Sequence, residues 1–157
     1  MSRGLANHHL YLARLLIEAW AEARSRQDVA AQVLDQAFAP GAREHLLRAY
    51  GHYLLHILAP GQAEDSDPPR SCDELPAREA GKAMPGEISE FRRLERDGWL
   101  AGLLAPLPPS GATSRRRGDT LAVSAGGDAF PDPDTLTGWR ERLQNLFERM
   151  DDSLEEC

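Results

Sequence analysis

Between Ala42 and Ala59 apolar side chains surround most of a helix circumference, and no other feature restricts the fold as much. At 100° per residue Leu47, Leu54 and Leu58 share one line, Leu46, Tyr50, Tyr53 and Ile57 a second, and His45, His52 and His56 a third. A helix that is apolar on several sides has to be covered on several sides. Partner helices are expected at Leu5 to Arg24, Ile88 to Leu104 and Leu136 to Leu154. The implied fold is all-α. It is a single-domain helical bundle over residues 1–157 with about four main helices and a long Pro/Gly/Arg-rich linker before the C-terminal helix.

The boundaries follow from turn and cap chemistry. In the first helix Leu5, His9, Leu12, Leu16, Ala19, Trp20 and Ala23 form the expected inner face. Asp28 is placed to cap a short helix over Val29 to Phe38, and Pro40-Gly41 is expected to break or kink the chain before the buried helix, which Pro60-Gly61 ends. Asp97-Gly98 divides the Ile88 to Leu104 region, with Asp97 as the expected cap of the second piece. In the closing helix Leu136, Trp139, Leu143, Leu146, Phe147, Met150 and Leu154 form a continuous seam, capped by Asp134 or Thr135. The acidic end of that helix, Asp151, Asp152, Glu155 and Glu156, opposes the helix macrodipole and predicts fraying. Flexible segments are expected at about 62–73, which includes Cys72, and at about 106–134, where only Thr120 to Ser124 has strand character.

Charge narrows the functions. The 157 residues carry a formal net charge of −7, unevenly spread. Residues 1–61 hold six arginines against five acids, a net of +1, whereas the remainder holds 12 basic and 20 acidic residues, a net of −8. Such a balance repels phosphate at long range, so nucleic-acid binding is disfavoured. Cys72 and Cys157 cannot build a disulfide framework, no apolar run is long enough to span a membrane, and the amphipathic N-terminal run does not resemble a secretion signal. A cytoplasmic protein without a membrane anchor is expected.

The sharpest chemical feature is the histidine stripe. His45, His52 and His56 lie within about 40° on one side of the helix, and His52 with His56 has the i, i+4 spacing that can grip a metal ion, with His9 available from the first helix. Bundle metal sites pair histidine with carboxylate in a Glu-x-x-His element, and none of the three stripe histidines has a Glu three residues before it. The expectation is therefore neutral histidines lining a helix contact, with no metal and no cofactor. The alternative is a histidine-based metal-dependent or nuclease-like enzyme. Small helical nuclease domains put four to six residues between an Arg and the His that follows it, whereas here Arg48 to His52 has three, Arg48 to His56 seven and Arg43 to His52 eight. Arg115, Arg116 and Arg117 form a basic cluster in the linker, read as a solvated loop, and the following Gly118-Asp119 completes an adhesion tripeptide by chance. The chain has neither a phosphate-binding glycine loop nor a Gly-x-Ser-x-Gly elbow. Trp20, Trp99 and Trp139 fall one on each main amphipathic helix, as core anchors do.

The segments ANHHLYLARLLIEAW, AREHLLRAYGHYLLHIL and EFRRLERDGWLAGLLA, with the closing pattern from Trp139 to Glu156-Cys157, together resemble a family of small cytoplasmic proteobacterial proteins classed only as a domain of unknown function. The order of elements corresponds over nearly the whole chain. The resemblance implies a helical fold and transfers no activity, cofactor or site residue. The function expected from the sequence is a non-enzymatic interaction or accessory role toward a protein partner that the sequence does not identify.

Overall fold

The computed structural model describes residues 2–58, 67–77, 80–109 and 129–156. Helices α1 (Ser2–Arg26) and α2 (Ala31–Leu58) are followed by a single 3-10 turn at Cys72–Glu74, then α3 (Gly86–Asp97), the short α4 (Leu100–Leu104) and α5 (Pro133–Glu155). No strand occurs among the described residues, and no described helix is long and apolar enough to cross a membrane. The pairings give an all-α bundle. Along the α1–α2 hairpin, Arg3 lies on the Tyr53 ring, His9 meets His45, and Trp20 meets Asp35, so the two helices run antiparallel. Glu95 and Phe91 of α3 meet Tyr50 and Tyr53, while Arg43 reaches α4, so the α3–α4 arm is antiparallel to α2. Arg149 with Glu90, and Trp139 against Gly102, run α5 back along that arm.

The helix expected to lie at the centre does so. Every residue from Ala49 to Leu54 is buried. Tyr53 stacks on Phe147 with ring centroids 3.9 Å apart, and Phe91 meets both rings edge-on. Each such side chain withdrawn from water contributes about 1.5 to 3 kcal/mol, which offsets the loss of chain entropy on ordering three helices around α2. The α5 seam is also as expected, with Leu136, Leu143, Leu146, Phe147 and Met150 buried and Trp139 half-buried against α4; Leu154 is exposed.

Four local expectations are corrected. The short helix expected from Val29 begins at Ala31 instead and is continuous with the one expected from Ala42, carrying Pro40 inside it. Pro40 is exposed between the fully buried Ala39 and Ala42, so its ring sits on the solvent side and the packing of its neighbours outweighs its cost of about 3 kcal/mol. The buried seam of α1 is Ala6, Leu10, Ala13, Ile17, Trp20 and Ala23; Leu5, His9, Leu12 and Leu16 lie at its flank, half-buried, and Ala19 is exposed. Alanines in the seam let the backbones approach, and Leu16 leans over Gly41. The α5 cap is Asp132, not Asp134 or Thr135. Its carboxylate accepts from the backbone N–H and the hydroxyl of Thr135, each at 2.8 Å, with Pro133 at the first helical position, and these bonds hold the Asp132 carboxyl below the usual range. Asp97 ends α3 and caps nothing, since α4 starts from Trp99 without a side-chain cap.

Gly51 explains how the 67–77 segment lies on α2. A Cβ at position 51 would overlap the carbonyl oxygen of Pro69 and crowd the Pro68 ring. Pro69 and Cys72 are accordingly buried, although the sequence places them in a solvated loop. Residues 59–66 and 110–128, which include Pro60-Gly61, Thr120 to Ser124 and Arg115 to Arg117, lie outside the described residues, as does Cys157.

This close approach reverses an ordinary substitution effect. Gly→Ala inside a helix usually adds about 0.5 to 1 kcal/mol of stability, and Gly138→Ala, with nothing within 4 Å of its Cβ, should do so. Gly51→Ala should instead cost about 1 to 3 kcal/mol, because backbone must move to admit the methyl. Thermal melts of the two variants should shift in opposite directions; an upward shift for Gly51→Ala would show that Pro69 does not lie on α2.

Candidate functional site

Three polar clusters surround α2, and the histidine stripe is divided between two of them. His9 of α1 inserts between His45 and His52 of α2. Its ring centroid is 5.3 Å from that of His45 and 5.5 Å from that of His52, and its plane is within 9° of the His52 plane. Seven residues of helix put His45 and His52 about 10.5 Å apart along the axis, which is the space one intervening ring fills. The result is a ladder of three imidazoles. Nδ1 of His9 lies 3.0 Å from Nδ1 of His45, so one of them carries the proton and the other accepts it, in opposite tautomers. His8 meets His9 edge-on at 5.9 Å.

The ladder disfavours positive charge. Burial, then His45, His52, Arg48 and His8, lower the His9 pKa from 6.5 to about 4. Burial and Arg48 also lower His45, against an opposing pull from Glu44. That carboxylate is already occupied: Arg70 holds both its oxygens at 3.0 Å, and Arg48 donates to one at 3.2 Å, which keeps Glu44 well below its ordinary range.

His56 belongs elsewhere. One turn beyond His52, its Nε2 lies 3.7 Å from Asp151 Oδ1, at the end of the bundle where α1 begins and α2 and α5 end. Asp151 accepts from Arg3 Nε at 2.6 Å and from the Tyr53 hydroxyl at 2.9 Å, and that hydroxyl also reaches the Phe147 carbonyl at 3.1 Å. The Arg3 guanidinium lies over the Tyr53 and Phe147 rings. Burial lowers the His56 pKa despite the pull of Asp151, and burial together with the Asp151 bond raises that of Tyr53.

The third cluster ties the 67–77 segment to α3. Glu95 Oε1 accepts from the Tyr50 hydroxyl at 2.6 Å and from the Cys72 backbone N–H at 2.9 Å, and the Cys72 thiol sits 3.5 Å from the same hydroxyl. Burial pushes the thiol up to about 11, so it remains protonated and weakly reactive at neutral pH. Of the arginines weighed for nuclease chemistry, Arg43 donates to the carbonyls of Leu103, Leu104 and Ala105 at the end of α4, and Arg48 is paired with Glu44. These are structural roles. Among the described residues no three His, Cys, Asp or Glu side chains converge as a metal cage would.

The arrangement defines an all-α protein whose polar groups are mostly bonded to one another across helix contacts. The chain belongs to a family of unknown function, DUF6586, whose family model matches residues 1–157. No curated protein and no solved structure matches it.

Sequence reasoning anticipated His9 beside the stripe and missed the Arg3–Asp151–Tyr53 cluster. The available signal was the position of Asp151, a carboxylate at the helix end where the macrodipole repels it, which requires a cationic partner from another element. Asp151→Ala should therefore cost about 2 kcal/mol, the scale of lost charged hydrogen bonds, whereas Asp152→Ala, exposed on the same turn, should stay within about 0.5 kcal/mol. Equal melting temperatures for the two variants would refute the clamp. Elemental analysis of untagged protein should find no stoichiometric transition metal, because His56 faces Asp151 while His45 and His52 lie on either side of His9, so the three stripe rings do not converge. One equivalent lost in His9→Ala would overturn that expectation.

Proposed function

We propose that this protein is a non-enzymatic interaction protein that engages a protein partner through the outward face of α1. The observation that carries this reading is the exposure of Tyr11 and Leu15, 50% and 42%, one turn apart on a helix whose opposite face is fully seated. An apolar pair at i, i+4 is the anchor pattern by which a helix enters a groove on another protein. The paired charges Arg14 and Glu18 beside it, with Arg14 over the Tyr11 ring, supply the polar rim of such a contact. The reading includes a bacterial origin and a cytoplasmic location, with Cys72 kept as a buried, reduced thiol. Histidine-based catalysis by His45, His52 and His56 is the weaker alternative, since His56 faces Asp151 while the other two face His9.

The test is a pull-down from cell extract alongside a nucleic-acid shift assay, each at low and at physiological salt. Apolar anchoring should keep a protein partner bound at physiological salt, whereas phosphate contacts weaken steeply as counterions compete. A Tyr11→Ser, Leu15→Ser double variant should lose the partner by about tenfold or more, an amount within the range of truncated interface anchors, while melting normally. Retention of the partner by that variant would overturn the α1 face as the binding surface. Nucleic acid recovered at physiological salt, with no protein, would overturn the interaction reading itself.

A further inference from the structure

The contact between α1 and α2 is uneven along its length. At one end Trp20 donates to Asp35 at 2.9 Å, with Arg24 beside the same carboxylate; at the other Arg3 lies over the Tyr53 ring. Between them the buried seam of α1 is Ala6, Leu10, Ala13 and Ile17, with small alanines on either side of Leu10, and His9 between His45 and His52 supplies the bulk that fills the space beside those alanines. His52 is 6% exposed. The central turns of the hairpin therefore include three close imidazoles, His9 joined to His45 through their Nδ1 atoms and lying parallel to His52, a geometry that accommodates neutral rings and penalises several charged ones together.

We propose that the His9–His45–His52 ladder is an acid-sensitive latch, which seats the middle of α1 on α2 while its rings are neutral and releases that part of the interface when they take up protons. The proposal does not depend on the partner-binding reading above.

The surroundings give a charged ladder little relief. On α1 the neighbouring titratable group is His8, and on α2 they are Arg48 and Glu44. Arg48 opposes protonation, and Glu44 is neutralised by Arg48 and by Arg70 of the 67–77 segment. From α5, Arg140 reaches the Leu10 carbonyl at this level, and its charged neighbours are Arg14, Glu18 and Glu141 rather than the histidines. The sign follows from where the protons bind. The seated form holds His9 at about 4, whereas in the released form it returns toward 6.5, so the released form binds more protons between those values. Seating is complete above about pH 6.5 and weakens as the pH falls toward 4.

Hydrogen exchange of the full chain, corrected for intrinsic rates, tests this at about pH 7.5 and about pH 5. Protection of α1 amides around residues 8–16 should drop about tenfold or more at the lower pH, while amides of α5 around 140–150 change less than about twofold. His9→Phe keeps a flat ring in the stack and removes the proton, so the drop should shrink to about twofold or less. Equal loss in α1 and α5, no loss, or a full loss retained in His9→Phe would each overturn the latch. If that variant does not fold, NMR titration of the imidazole protons of the unaltered protein decides: a His9 midpoint below about 5 supports the latch, and one near 6.5 overturns it.

Discussion

The stack of Tyr53 on Phe147 places the middle of α2 where water cannot reach, and the other polar contacts of the bundle follow from that burial. A side chain with a polar tip can occupy such a position only if another element brings a partner to it, because an unmet hydroxyl or amide costs about 1 to 3 kcal/mol. α2 carries two phenols in its buried run, and each meets a carboxylate from a different helix: Tyr50 meets Glu95 of α3, and Tyr53 meets Asp151 of α5. The carboxylates are satisfied in turn. Glu95 accepts the Cys72 amide and so fixes the 67–77 segment, while Asp151 accepts Arg3 and so fixes the start of α1. One buried helix thereby determines where the flanking acids must stand.

Arginine does the complementary work at the rim of this core. Arg43 satisfies carbonyls at the end of α4, a helix of five residues that has few internal bonds, and Arg140 reaches the Leu10 carbonyl from α5. Arg70 and Arg48 share Glu44. The planar guanidinium suits these roles because it presents several donors at fixed angles, which a lysine ammonium does not. Such tasks leave these arginines turned toward the protein itself, in keeping with a net charge of −7.

The parts of this fold that were legible in the sequence are those written as periodic apolar burial: α2 as the centre, the α5 seam, and the division at Asp97-Gly98. What was not legible depended on tertiary contact. Pro40 reads as a break or kink, and the break does not occur: packing at Ala39 and Ala42 carries the helix through it. Over most of its length the α1 face expected from the sequence, Leu5, His9, Leu12 and Leu16, lies one position before the seam, Ala6, Leu10, Ala13 and Ile17, because small alanines rather than the bulkier side chains beside them meet α2; Trp20 and Ala23 fall where expected. The cap of α5 was placed two or three residues late because Pro133 at the first helical position moves the start to Asp132. The stripe misled for a geometric reason. His45, His52 and His56 share an angle on the helix but span about 16 Å along its axis, so no single centre can collect all three. An angular projection discards that distance, and only the position of α1 shows that His9 fills the first interval and Asp151 approaches the far end.

If the two proposals about α1 both hold, they are coupled by position. Tyr11 and Leu15 point outward from the same two turns whose inner side carries His9 and Ala13, so a partner that recognises the seated helix would bind one protonation state of the ladder in preference to the other. Linkage then runs both ways: the partner lowers the proton affinity of the ladder, and protons lower the affinity for the partner by the same factor. A partner that gripped Tyr11 and Leu15 equally well on a released helix would leave the ladder unaffected, because a ligand shifts an equilibrium only by its difference in affinity for the two states. Measuring partner affinity at two pH values would thus report whether the outer face of α1 is read alone or together with the contact beneath it.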